Sequence, residues 1–200
     1  MALKTMVKVG SITNLSDARY CAAMGVEMLG FAIDPTHEYY IPENRFVEII
    51  QWVSGVTIVG EMINNLEFFE AYQQIDVLQI SDGKLLKKAK EVVSRVILSV
   101  DLEKQSLYSV LNDFPEADYY LLQHSDDNID DDHLDNFSQY GYANQLILGF
   151  GINPKNVYQI VASGIFKGIE LIGSAEIRPG YKDYDELANI LEILEVEHET

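Results

Sequence analysis

The sequence predicts an α/β protein, a single compact (β/α)8 TIM barrel over residues 1–200, on three observations. Short apolar runs recur along the chain, each is followed by an amphipathic stretch that a Gly or Pro closes, and eight such units fit into 200 residues at about 25 residues each. Strand alternating with helix implies a parallel sheet with right-handed crossovers, and eight units close it into a barrel. The barrel is compact, because ~250 residues is usual for the fold, and no residues remain for a second domain. Periodicity alone does not separate closure from an open, doubly wound sheet, which stays the structural alternative.

The strand-like runs fall at 6–9, 28–33, 57–63, 77–80, 95–100, 119–122, 145–148 and 168–172. They are rich in Val, Ile, Leu and Tyr and mostly continuous, the pattern of strands buried on both faces. A first helix covers 15–24, entered from Asn14, a good N-cap, and stopped by Gly25. Another covers 46–53 after Pro42, and a third covers 156–161 after Asn153-Pro154, where proline suits the first helical position. The acidic stretch 126–133 reads as a solvated loop running into a helix N-terminus, where Asp is favoured. The tail 192–200 reads as an amphipathic helix end.

Composition narrows the function classes. With 48% hydrophobic residues the chain has ample core. Lys and Arg number 14 against 32 Asp and Glu, a net charge of −18, so nucleic acid and anionic membrane surfaces are excluded as partners. The apolar runs are far shorter than the ~20 residues of a membrane span, and the first eight residues carry no apolar signal region. Cys21 is the one cysteine; it has no internal disulfide partner, forms no zinc cluster, and reads as a small core residue on its helix. The expectation is a cytoplasmic protein, monomeric or homodimeric, with no metal and no cofactor.

Chemistry in such barrels sits at the C-terminal ends of the strands and in the loops that follow. That rule points to Gly10 and Ser11 after the first strand, then to Asp34, His37 and Tyr39 after the second. It continues with Glu61 and Asn64, Gln79 and Ser81, Asp101, and Gln123 and His124. The last two strands offer Gly149 and Gly151, then Glu170, Gly173 and Ser174. Acids among these would crowd one mouth and repel a phosphorylated ligand unless a cation is present. Lys8 is one source of such a cation.

Six stretches in order carry a resemblance. Lys8-Val9-Gly10-Ser11-Ile12-Thr13-Asn14-Leu15-Ser16-Asp17-Ala18 is similar to K-I-C-G-I-T-N-x-x-D-A, and Leu29-Gly30-Phe31 with Pro35 and Tyr40-Ile41 to L-G-F-x-x-x-P-x-S-P-R-Y-V. Val59-Gly60-Glu61-Met62-Ile63-Asn64 is similar to V-G-V-F-V-N, and Asp76-Val77-Leu78-Gln79-Ile80 to D-x-V-Q-L. Leu146-Ile147-Leu148-Gly149-Phe150-Gly151-Ile152-Asn153-Pro154-Lys155-Asn156-Val157 is similar to L-I-L-A-G-G-L-N-P-E-N-V. Gly168-Ile169-Glu170, then Glu176, Pro179-Gly180 and Lys182-Asp183, match G-V-D-V-S-S-G-V-E-x-x-P-G-x-K-D. These motifs belong to phosphoribosylanthranilate isomerase, the tryptophan-pathway barrel, which the chain resembles from residue 8 to residue 183.

The resemblance implies an Amadori rearrangement in which a carboxylic acid protonates the ring oxygen and a thiolate removes the C2′ proton. In this chain Gln123 stands at the position of the acid and Gly10 at that of the thiolate, and Tyr39 stands at or beside the arginine that holds the anthranilate carboxylate. Each general acid or base is typically worth 10²–10⁴-fold. The expectation is a catalytically degenerate homologue that binds a small-molecule ligand, phosphorylated metabolites included. Ligand contacts are expected from Lys8, Gln79, Gly149, Phe150, Gly151, Gly173 and Ser174; the loops after the last two strands often hold phosphate. The alternative is shifted isomerase or lyase chemistry on a sugar-phosphate-like substrate, with His37, His124 and Glu170 as catalytic groups, or residual isomerase activity.

Overall fold

The computed structural model describes residues 2–62, 66, 69–126, 128–140, 145–172, 176–178, 181–182 and 185–196. Eight parallel strands, β1 (Met6–Gly10), β2 (Met28–Ala32), β3 (Thr57–Met62), β4 (Val77–Ile80), β5 (Arg95–Asp101), β6 (Tyr119–Gln123), β7 (Leu146–Leu148) and β8 (Gly168–Ile172), pair in sequence order. β8 then returns to β1 over a register from Met6↔Gly168 to Gly10↔Ile172, so the barrel is closed. The open-sheet alternative is thereby removed.

Helices α1 (Leu15–Ala23), α2 (Glu43–Ile50), α3 (Leu86–Val92), α4 (Leu107–Asp113), α5 (Asp131–Ser138) and α6 (Val157–Ala162) lie between the strands. Side-chain caps start two of them, α1 and α5. The Asn14 carboxamide oxygen accepts the Asp17 N–H at 2.9 Å, and Asp130 accepts the His133 N–H at 3.0 Å. The third predicted helix begins later than Pro154 because Asn153 Oδ1 first accepts the Lys155 N–H at 3.0 Å. Asn156 Oδ1 accepts the Asn153 N–H at 2.8 Å, making a turn that precedes α6. Between β3 and β4 the described residues hold only a 3₁₀ turn, Phe69–Ala71. There Tyr72 packs edge-on against Phe46 of α2 and donates its hydroxyl to the Ile41 carbonyl at 2.7 Å. Burial raises the Tyr72 phenol pKa, with the Tyr40 hydroxyl adding to the rise. An antiparallel pair not read from the sequence, β9 (Glu176–Arg178) with β10 (Tyr181–Lys182), precedes the last helix, α7 (Asp185–Leu194). Cys21 is wholly buried, as its small-residue neighbours suggested.

Side chains alternate across a strand, and that alternation divides the barrel wall. One set of strand side chains packs outward with the helices into the main core, whereas Met6, Met28, Val59, Val77, Ile97, Leu121 and Ile147 form a separate buried cluster, the plug of the barrel interior. Two residues further along the same strands come Lys8, Gly30, Glu61, Gln79, Ser99, Gln123 and Gly149. Glu170 completes this second inward layer, two residues after Gly168 on β8. An apolar floor is thus overlaid by a ring that is polar or has no side chain at all, and this ring is where the candidate site begins.

Candidate active site

At the centre of the ring the Lys8 ammonium is wholly buried between two carboxylates, Glu61 and Glu170, each 6% exposed. Glu61 Oε1 accepts from it at 2.6 Å and Glu170 Oε1 accepts as well. The other Glu61 oxygen accepts the Ser11 N–H at 3.1 Å. Ser11 adopts φ 56°, a left-handed backbone that a residue with a side chain rarely takes, and that conformation turns its N–H onto the carboxylate. Room for the cluster comes from missing side chains. A Cβ on Gly30 would lie 2.0 Å from Glu61 Oε1, and one on Gly10 would lie 2.9 Å from Glu61 Oε1 and 3.0 Å from Glu170 Oε1. The carboxylates therefore occupy the volume that any side chain at position 10 would need.

Three charged groups give a net −1 in a buried place, and their titration reflects it. Burial works to lower the Lys8 pKa, but Glu170 and Glu61 outweigh it and hold the ammonium above its ordinary range. Burial pushes the Glu170 carboxyl up; Lys8 opposes that and Glu61 adds to it, leaving Glu170 above the usual carboxylate range. A raised native pKa means the folded state holds the proton more tightly than the unfolded chain. Glu170's contribution to stability is therefore full below its unfolded value of 4.5 and falls as pH rises above it. Glu170→Gln, permanently neutral, is expected to be at least as stable as the parent at pH 7 and to flatten the fall of stability above pH 4.5. Urea titrations at stepped pH measure this. A loss of more than about 2 kcal/mol at pH 7 would show that the Glu170 charge is required for the fold.

Above the cluster opens a cavity of about 620 Å³, large enough for a small metabolite. The structure brings Gly10, Ser11, His37, Tyr39, Glu61, Gln79, Ser81, Asp101, Gln123 and Glu170, all singled out in the sequence, to its wall. It adds Ser99, Glu38 and Lys104. His37 Nδ1 accepts the Tyr39 N–H at 3.1 Å, which leaves Nε2 as the ring nitrogen for a ligand. Asp101 bonds Lys104 at 2.5 Å, and that bond holds its carboxyl below the usual range.

Other expected residues are placed elsewhere. Lys8, offered as a cation for an anionic ligand, is committed to two glutamates beneath the cavity. Asp34 is not on the cavity wall: its carboxylate accepts the Thr36 N–H at 2.9 Å and hydroxyl at 2.7 Å. His124 is not on the cavity wall; its ring packs 5.4 Å from that of Phe150, and its Nδ1 accepts the Asp126 N–H at 3.1 Å. Phe150 is buried among His124, His133 and Phe137, so only its backbone is available to a ligand. The Gly149 N–H is taken by the Leu122 carbonyl at 2.9 Å. Gly151 makes a tight turn at φ 64°, where a Cβ would meet Asn128 at 2.8 Å. Gly173, Ser174 and Asn64 lie outside the described residues. Ser99 and the pairing of Glu61 with Lys8 escaped the sequence reading. The step of two residues from an inward apolar side chain, repeated on every strand, was the signal for both.

Fold and site together define a (β/α)8 barrel whose C-terminal mouth holds a polar, metabolite-sized cavity. No family model matches the sequence. The N-(5′-phosphoribosyl)anthranilate isomerase of Aquifex aeolicus is 23% identical over 208 aligned positions, covering 92% of this chain and 96% of that protein. A crystal structure of the enzyme from Thermus thermophilus superposes with a TM-score of 0.76 at 22% identity, covering 94% of this chain and 96% of that one. A phosphoribosylanthranilate isomerase in complex with reduced 1-(o-carboxyphenylamino)-1-deoxyribulose 5-phosphate superposes with a TM-score of 0.72 at 24% identity, covering 94% and 97%. Over nearly its whole length the chain is similar to phosphoribosylanthranilate isomerases in sequence and in fold. Among the described residues, no helix is long and apolar enough to cross a membrane.

Proposed function

We propose that this protein is a catalytically degenerate member of its family that binds a small metabolite in the barrel mouth without isomerising it. One observation carries the reading: Glu61 and Glu170 fill the volume beside Gly10 where the family motif has its cysteine. Gln123, at the position of the family's acid, has a carboxamide with no proton to deliver to a ring oxygen. The cavity itself persists, which favours retained binding over a purely structural role. A phosphate on that metabolite would sit at the rim, in the loops after β7 and β8 where barrels of this kind often hold one. One structural neighbour holds a phosphorylated ligand, reduced 1-(o-carboxyphenylamino)-1-deoxyribulose 5-phosphate, which supports a ligand of that class here.

Turnover of phosphoribosylanthranilate by the purified protein is the direct test. The expected result is a rate indistinguishable from the uncatalysed reaction, together with failure to restore growth of an isomerase-deficient tryptophan auxotroph. Growth at the normal rate would overturn the proposal. A second reading, acid-base chemistry on another sugar-like substrate, draws on the raised pKa of Glu170, which lines the same cavity as His37. It requires that Glu170→Gln abolish whatever turnover is found.

A further inference from the structure

Two polar atoms at the floor of the cavity have no partner among the described residues. Ser99, on β5, is only 3% exposed and its Oγ makes no hydrogen bond; on the neighbouring strand β4 the buried Gln79 Oε1 is likewise unpartnered. Both line the cavity. A buried hydroxyl or amide oxygen left unpaired is costly, and native proteins retain one mainly where something outside the chain completes it. A carboxamide oxygen accepts and does not donate, so whatever completes Gln79 Oε1 must carry an N–H or O–H.

The surrounding charge selects between donors. Among the described residues, four carboxylates, those of Glu38, Glu61, Asp101 and Glu170, line the same wall, against one cation, Lys104, which is bonded to Asp101. The Lys8 ammonium lies beneath, matched by Glu61 and Glu170. Such a wall disfavours an anion and attracts a cationic donor. We infer that the cavity floor binds the protonated amine of a small polar ligand, which donates to Gln79 Oε1 and Ser99 Oγ. The inference rests on the reading of the mouth as a ligand-binding site and orients its occupant: amine on the floor, any phosphate at the rim.

The test is a titration of the isotopically labelled full-length chain, followed by NMR, with ethanolamine and glucosamine as amine probes and glucose and inorganic phosphate as comparators. The amines are expected to shift the Ser99 and Gln79 signals and to bind at least tenfold more tightly than glucose. Ser99→Ala and Gln79→Met are each expected to weaken amine binding about tenfold, the size typical of a hydrogen bond to a charged group. Ser99→Ala should melt no lower than the parent, since it removes a buried atom that lacked a partner. The inference is overturned if neither amine binds, if both variants bind as the parent does, or if phosphate shifts the same signals more strongly. Isomerase turnover alongside amine binding would sink the proposed function and leave this site standing. Absent turnover with no amine binding would sink only the site.

Discussion

Replacing Lys8 by methionine is expected to lower the unfolding free energy by about 3–5 kcal/mol at pH 7, the range for removing one partner of a buried ion pair. Methionine fills much of the lysine volume, so the loss is electrostatic in origin. Lys8 is wholly buried, and without its ammonium Glu61 and Glu170 would face each other with no counter-charge between them. Glu170, already raised and then without the opposing ammonium, would be pushed further up, and the folded state would bind its proton more tightly than the unfolded chain. The deficit therefore shrinks as pH falls from 7 toward the unfolded value of 4.5. At the alkaline end the parent too loses stability as pH rises. The raised Lys8 pKa makes its contribution complete below 10.5 and lost as pH climbs through the higher folded value. Chemical denaturation of parent and variant from pH 4.5 to 8 separates the causes: a deficit constant across that range would mean that packing, not charge, was lost. Adding Glu61→Gln and Glu170→Gln to the lysine variant should recover most of the stability at pH 7.

The contrast between Lys8 and the strands shows which parts of this molecule were legible beforehand. Each strand is a local event: a few consecutive apolar residues with a turn signal after them. All eight runs appear in the barrel with edges shifted by two residues or fewer. The hairpin of β9 and β10 was not legible, because its two short strands carry no apolar run. Most of the cavity wall was legible too, since the end of a parallel strand fixes the end of the barrel on which a residue sits. The partners of those residues were not. Lys8 meets Glu61 and Glu170 across 53 and 162 positions of sequence, and only barrel closure brings β1, β3 and β8 to one axis. Asp34 illustrates the converse. Its position after β2 suggested the mouth, but an Asp two residues before a Thr has a local competitor for its carboxylate, and the turn to Thr36 took it.

Gly10→Cys tests whether the lost thiol and the added carboxylate are two halves of one change. Glu61 stands where the family motif has valine, and Gly10 where it has cysteine. In the structure the first fills the space vacated by the second, with 2.9 Å between Glu61 Oε1 and a Cβ at position 10. Gly10→Cys alone is therefore expected to cost about 2–3 kcal/mol, the range for overpacking, and to give no isomerase turnover. Glu61→Val removes the obstruction and leaves Lys8 paired one-to-one with Glu170, so the glycine-to-cysteine change in that background should cost less than about 1 kcal/mol. A coupling of about 1–2 kcal/mol in the double-mutant cycle is the signature, and additive effects would refute the compensation. The same logic extends to chemistry. Gly10→Cys with Gln123→Asp should stay inactive while Glu61 holds the thiol's place. Adding Glu61→Val should raise turnover of phosphoribosylanthranilate at least tenfold over that pair, because a base and an acid contribute only when both can reach the reacting atoms.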